Sequence, residues 1–377
     1  MLHDGNDCLR GRRIAAATRK RSRVSVGSTE DYEETSHLGE GGFSAVVKAH
    51  RVTGQTVAIK RLAPADADGQ TSVSTKRLTA AADGDRSGVE EEELLREARF
   101  HEACGAGGHC PFLVGFHGLV RDLATSGLGL VMECVDGPTL HDYLRHRRRH
   151  CDSPRLPEAT ARAAMWQLLT AAMRMQESRV VHRDIKPGNI LVGGGGAHRV
   201  LKICDFGLAM STSEPPPHEP ASTLWCKAPE MLLGMRAYDA RVDAWSLGCV
   251  MAEIVYGRAL FAGSYEREHL CAIFDVLGVP DDETWPEFAS TSFAGEVLPE
   301  LDVRRRRNRL RELFPAAMLS KEGFDVLDGL LTCNPDRRLT AAAALKLPWL
   351  AKVEALQLPS SIVKMTQHLG LTFPRRS

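Results

Sequence analysis

Apolar periodicity is missing from the first thirty residues and begins at Tyr32. Residues 33–39, 44–50 and 55–62 read as three short strands, with Gly-rich and Thr-Gly turns between them. Residues 63–89 then turn to Ala, Asp, Gly, Ser and Thr with almost no large apolar side chain, which marks a flexible insertion. Helical character resumes over 90–104, where Leu94, Leu95, Ala98 and Phe100 stand among charges. Two apolar runs, 112–120 and 128–134, read as strands. After Gly137-Pro138 the chain is mostly helical, most clearly over 157–177, where proline opens the helix and Ala163, Trp166, Leu169 and Met173 share a face. The pattern predicts an α+β fold of two lobes without internal repeats. A small strand-rich N-lobe with one main helix occupies 31–134, a larger helical C-lobe occupies 138–350, and 133–137 is the hinge. A disordered basic tail over 1–30 and a C-terminal tail over 351–377 flank them.

Composition narrows the function classes. A chain of 377 residues exceeds one compact core, which agrees with two lobes. Lys+Arg and Asp+Glu balance at 48 each, so no net field directs the protein to nucleic acid or membrane. Basic charge is local: Arg19-Lys20-Arg21-Ser22-Arg23 reads equally as a nuclear import signal or a solvated tail, and residues 304–307 read as a solvated loop able to meet acidic partners. The ten cysteines form no CxxC pair, and His101, Cys104, His109 and Cys110 match no standard zinc spacing. The thiols therefore read as reduced and the protein as intracellular, in nucleus or cytoplasm, and no apolar run approaches membrane-spanning length.

Three stretches carry chemistry. In Gly39-Glu40-Gly41-Gly42-Phe43-Ser44-Ala45-Val46, glycines between two strands let backbone N–H groups approach a phosphate, although a ligand-free hairpin turn explains this stretch alone equally well. Val57-Ala58-Ile59-Lys60 sets an ammonium within an apolar strand, which requires an anionic partner, and Glu97 on the following helix is the natural one. In Val181-His182-Arg183-Asp184-Ile185-Lys186-Pro187-Gly188-Asn189, Asp184 can accept a proton from an attacking hydroxyl. Lys186 can stabilise a transferring phosphoryl group, and Asn189 offers an oxygen to a cation. Beyond a Gly-rich turn, Asp205 of Asp205-Phe206-Gly207 supplies a second hard oxygen donor suited to Mg²⁺.

In this order these stretches resemble the eukaryotic protein kinases across 32–350, together with Ala228-Pro229-Glu230 and Asp243-Ala244-Trp245-Ser246-Leu247-Gly248. Lys186 is the serine/threonine-kinase version. Gly257-Arg258-Ala259-Leu260-Phe261-Ala262-Gly263 with Trp285-Pro286 resembles the cyclin-dependent kinases, and the Gly-Glu-Gly-Gly-Phe loop is similar to their plant F type. The resemblance implies a bilobal kinase fold, ATP and Mg²⁺ as cofactors and protein substrates, while zero net charge and basic runs without interleaved aromatics argue against a nucleic-acid partner, and no membrane partner is expected. The resemblance places the adenine between Val46, Ala58 and Leu191, with Met132 as gatekeeper and the backbone of Glu133 and Val135 on its edge. Asp184 and Lys186 become the catalytic pair, Asn189 and Asp205 the metal ligands, and Glu230–Arg338 a buried structural ion pair.

Several positions depart from that pattern. Ser44 replaces the third loop glycine, while Gly42 and Phe43 stand where many relatives carry inhibitory Thr and Tyr phosphorylation sites. No threonine occupies the activating position: Pro217 or His218 does, and of three phosphate-holding arginines Arg96 and Arg183 remain while the third falls on Met210. Activity is therefore expected without phosphorylation there, with Pro rigidity and Glu214 or Glu219 substituting. Phosphorylation of Thr212 or Ser213 is the rival expectation. Lys227 replaces the arginine of the pocket for proline after the acceptor, keeping charge without the planar fork, so Ser/Thr-Pro preference is a weaker expectation. Glu91-Glu92-Glu93-Leu94-Leu95-Arg96-Glu97 differs from the usual cyclin-binding helix, leaving dependence on a cyclin-like partner open. Either His101 or, one position away, Phe100 completes the stack linking the lobes. A pseudokinase scaffold is the alternative to an active enzyme.

Overall fold

The computed structural model of the protein describes residues 26–40, 44–62, 86–194, 199–216, 223–235, 237–297 and 307–351. The N-lobe is a six-stranded sheet of β1 (Val26–Ser28), β2 (Tyr32–Glu40), β3 (Ser44–Arg51), β4 (Thr56–Leu62), β5 (Phe116–Arg121) and β6 (Leu128–Glu133). Their order is β1-β5-β6-β4-β3-β2, antiparallel except that β1 lies parallel to β5. Strand alternation splits the apolar side chains between two layers. Ala49, Val57, Ile59, Val120 and Val131 bury on one face. Leu119, Leu128, Leu130 and Met132 bury on the other with Leu94 and Ala98 of helix α1 (Arg86–Gly105).

The C-lobe follows with α2 (Leu140–His150) and α3 (Glu158–Glu177), the two-residue strand β7 (Val180–Val181), the hairpin of β8 (Ile190–Gly193) and β9 (Val200–Ile203), and β10 (Met210–Ser211), paired with β7. Helices α4 (Pro229–Leu232), α5 (Arg241–Tyr256), α6 (Glu266–Leu277), α7 (Ser292–Val297), α8 (Leu310–Leu313), α9 (Lys321–Leu330), α10 (Ala341–Ala344) and α11 (Pro348–Ala351) complete it. Helix α3 is buried well beyond the one face its spacing suggested: Ala161, Met165, Leu168, Leu169 and Ala171 are all inaccessible, because it packs against α5 at the centre of the lobe. At the hinge, a Cβ on Gly137 would collide with the Val192 carbonyl, so the connecting strand can pass this close to β8 only as glycine.

Three boundaries differ from those expected. Strand β1 lies inside the stretch read as a tail, because Val26–Ser28 finds the open edge of β5; a single apolar residue leaves no period to read. Helix α1 begins at Arg86, within the stretch read as insertion 63–89. Residues 112–115 are buried but do not belong to β5: Val114 N–H donates to the Ile203 carbonyl at 2.9 Å and Ile203 N–H to Phe112 at 2.9 Å, joining this segment to β9.

Glu230 and Arg338 form the expected buried pair, with Arg338 donating to both carboxylate oxygens at 2.6 and 2.7 Å. Carbonyls of Thr332, Cys333 and Arg241 take its other donors at 2.9 Å, and its guanidinium lies over Trp245, 5.1 Å from the ring centre. Removing one partner strands the other charge. Arg338→Met should lower unfolding free energy by about 3–5 kcal/mol, read as a shifted urea midpoint.

Candidate active site

The sheet supplies the roof of an interlobe cleft. Val46 lies opposite Lys60, Lys60 opposite Leu130, and Ala58 opposite Met132, and cross-strand partners share a face. Val135 of the hinge and Leu191 of β8 pack onto the Leu130–Met132 cluster. Glu133, whose N–H donates to Gly115 at 2.8 Å, is anchored from behind: its Oε2 accepts from Lys202 Nζ at 2.9 Å and from Gly115 N–H at 3.1 Å. Gly39 and Glu40 pair with Val46 and Ala45 across the stems of the Gly-rich turn. Its tip, Gly41, Gly42 and Phe43, lies outside the described residues.

Lys60 Nζ donates to Glu97 Oε1 and Oε2 at 2.9 and 2.8 Å and to Asp205 Oδ1 at 2.7 Å. Burial works against this ammonium, but the two carboxylates outweigh it and hold its pKa above the ordinary lysine value. Burial also raises Glu97, with Lys60 opposing. For Asp205 burial pushes up, but Lys60 wins and holds the carboxyl down to about 2. Its side chain is 44% exposed. Its backbone φ is +68°, and a Cβ on Gly207 would press on Asp205 Oδ1 at 3.3 Å and touch Glu97 and Lys60 at 3.6 and 3.7 Å.

The loop before β8 is held with comparable strictness. Asp243 at the start of α5 accepts from His182 N–H at 2.8 Å and Arg183 N–H at 2.9 Å, pinning Arg183 at a φ of +67°. Asp184 Oδ2 accepts from Lys186 Nζ at 2.8 Å and Asn189 Nδ2 at 2.9 Å, and Oδ1 accepts from Thr223 N–H at 3.0 Å. Lys186 also donates to Thr223 Oγ1 at 2.6 Å. Asn189 spends its amide nitrogen on Asp184, so its oxygen is the group left for a cation. Cys204 N–H donates to the Asn189 carbonyl at 3.0 Å, tying the strand that ends at Asp205 to the same loop. Two bonded groups, Lys60–Glu97–Asp205 and Asp184–Lys186–Asn189–Thr223, are thus joined through the Cys204–Asn189 bond and the Phe206–His182 contact. Asp243 and Thr223 hold this loop: Asp243 opens a motif quoted above that assigned it no role, and Thr223 was assigned none either. Lys202 carried no signal beyond lying in β9.

The register of α1 puts His101, not Phe100, in the lobe-linking stack. Its ring lies 4.5 Å from Phe206, and Phe206 lies 5.1 Å from His182. Phe100 instead meets Arg96, whose guanidinium carbon is 5.6 Å from the ring centre. His101 bonds the Val114 backbone, while its Nε2 has no partner among the described residues. Burial, then Lys60, lowers its pKa from 6.5 to about 3. Between those values the unfolded chain binds a proton that the folded one refuses, so stability falls as pH drops through 6.5 toward 3. His101→Leu should flatten this part of the stability–pH curve, measured as denaturant midpoints across the range.

Around the acceptor side, Lys227 is buried and its Nζ donates to Glu266 Oε1 at 2.7 Å, while Trp225 is exposed and donates to the Gly263 carbonyl at 3.3 Å. Met210 is buried in β10. Glu219, Pro217 and His218 lie outside the described residues, as do Arg19, Arg21 and Arg23. No described helix is long and apolar enough to cross a membrane.

Comparison with known proteins agrees with this geometry. The family model described as protein kinase domain matches residues 32–350. The protein named "Putative cyclin-dependent kinase F-2" of Oryza sativa subsp. japonica is 43% identical over 332 residues, covering 86% of this chain and 91% of the relative. Cyclin-dependent kinase G-2 of Oryza sativa subsp. indica is 32% identical over 339 residues, covering 86% of this chain but 42% of that protein. Cyclin-dependent kinase G1 of Arabidopsis thaliana is 38% identical over 223 residues, covering 56% of this chain and 35% of that protein. With the catalytic-loop network and the lysine triad already in place, the match over 32–350 means that the chain belongs to the protein kinase family, as a serine/threonine kinase of the cyclin-dependent-kinase-like group.

Proposed function

We propose that the cleft transfers the γ-phosphoryl group of ATP to serine or threonine hydroxyls of proteins, and that the six converging side chains do the chemistry. The observation that carries this is the hydrogen-bonded set of Asp184, Lys186, Asn189 and Thr223, tied to the Lys60–Glu97–Asp205 cluster through the Cys204–Asn189 bond next to Asp205. ATP with Mg²⁺ supplies the phosphoryl group and the charge that neutralises its oxygens. The donor set fits these cofactors: Asp205 offers an ionised carboxylate and Asn189 an amide oxygen, both hard ligands. Lys60, oriented by Glu97, grips phosphate oxygens from the roof, and Val46, Ala58, Met132, Leu191 and Val135 enclose the base. Glu133, tethered by Lys202, presents its backbone to the edge of the base.

Asp184 receives the acceptor hydroxyl's proton. Thr223 N–H and the Lys186 ammonium hold its two oxygens in fixed directions, so orientation is set before substrate arrives. Lys186, between Asp184 and Thr223, lies where charge on the moving phosphoryl group needs a cation. Of the departures that favour a scaffold, Ser44, His101 and the unusual activation segment, the first two leave these contacts intact, and His101 itself fills the lobe-linking stack. The finer expectations are substrates with proline after the acceptor and a protein partner on the α1 side of the N-lobe. Pairing with Glu266 leaves Lys227 less free to shape that proline pocket.

Purified protein with Mg²⁺ and ATP should phosphorylate a generic basic acceptor protein. Asp184→Asn should lower kcat by ~10²–10⁴-fold with little change in KM for ATP. Lys60→Met should abolish transfer and leave Glu97 as an unpaired buried carboxylate. Transfer surviving in both variants would identify a contaminant and end the proposal. A peptide library varied after the acceptor residue should favour proline, and a flat profile would remove that expectation.

A further inference from the structure

Arg96 and Arg183, the two arginines left from the set that relatives use to hold an activating phosphate, are each laid on an aromatic ring. Arg96 sits over Phe100, four residues along α1, at 5.6 Å from the ring centre. Arg183 is 3% exposed, and its guanidinium carbon lies 5.9 Å from the ring centre of Tyr238, in the loop entering α5. The same guanidinium donates to the Leu208 carbonyl at 3.3 Å, immediately after Asp205-Phe206-Gly207. Its backbone N–H is held by Asp243. Arg183 thus joins three segments: the loop carrying Asp184, the start of the activation segment, and the loop before α5.

We infer that Tyr238 is a positioning residue which stands in for the missing phosphate, its ring holding the Arg183 guanidinium so that the loop bearing Asp184 is ordered without modification of the activation segment. The inference rests on the kinase reading and adds how that site is switched on. A buried guanidinium needs compensation, and the face of an aromatic ring provides it without a formal negative charge. The position is compatible with Met210: an apolar side chain replaces the third arginine and packs in the core, where a cation would demand another anion. Tyr238 also bonds to Arg183 through its hydroxyl; burial raises the phenol's pKa and outweighs the opposing pull of Arg183, so it is a neutral partner. Asp243 fixes the Arg183 backbone, while the guanidinium ties that loop to the Leu208 carbonyl, so freeing the side chain loosens the activation segment against the loop and the hold of Thr223 on Asp184 with it.

The test uses full-length protein that mass spectrometry finds free of phosphate over residues 211–223. This wild type should be active, and phosphatase treatment should leave its rate unchanged. Tyr238→Leu should lower kcat roughly tenfold while KM for ATP stays within about twofold, since positioning of Asp184 is lost and the nucleotide pocket is not. Tyr238→Phe, which keeps the ring, should retain most of that rate. A leucine variant as fast as wild type would overturn the inference, and so would a phenylalanine variant as slow as the leucine one. Loss of wild-type activity on phosphatase treatment would overturn it too, independently of whether any variant folds. Wild type inactive under every condition would instead remove the kinase reading beneath it.

Discussion

The active arrangement depends on one buried cation. Lys60 comes from the sheet, Glu97 from α1 and Asp205 from the strand-to-turn transition after β9, and only their joint assembly compensates an ammonium removed from water. Moving α1 away, or turning the Asp205 segment, would leave charge uncompensated in a low-dielectric site. The same contacts therefore set the separation of the lobes and the direction of the anion that faces the cleft. Gly207 belongs to this constraint, because any side chain there would meet all three partners.

A second constraint fixes the catalytic loop from below. Asp243, on the most deeply buried helix of the C-lobe, captures two successive N–H groups and so holds Arg183 in a backbone conformation that L-residues seldom adopt. Strain of this kind persists where neighbours over-determine it. Here they include the core contacts of α5, the Glu230–Arg338 pair near its start and the stack of His101, Phe206 and His182. Rigid C-lobe scaffold and strained loop together put Asp184 within reach of Lys186, Asn189 and Thr223, which lie up to 39 residues away in the chain.

Much of this was legible from residue types and period. Strands β2, β3 and β4 were legible as short segments set off by Gly-rich and Thr-Gly turns, and α3 declared itself through length and its opening proline. The pairing Lys60–Glu97 was also readable, since a lysine in an apolar strand requires an anionic partner, whereas Glu230–Arg338 came only from the resemblance to the kinases. Residues 112–115 were misread because burial produces the same apolar run whether a segment pairs within the sheet or crosses to β9. Strand β1 was unreadable because three residues completing an edge need no pattern of their own. Thr223 and Lys202 gave no signal: an ordinary threonine or lysine acquires its role only from what the fold sets beside it.

By itself, then, the sequence determined the kinds of chemistry available and the order in which they occur: a lysine in an apolar strand, a carboxylate base, two hard oxygen donors, and no activating threonine. Only the tertiary structure decided which partners those groups take. It placed His101 rather than Phe100 against Phe206, gave Lys60 a second carboxylate, and turned Arg96 and Arg183 onto aromatic rings. The reason is physical: charge and hydrogen-bonding capacity belong to the residue, whereas a partner is selected by helix phase and by neighbours far along the chain.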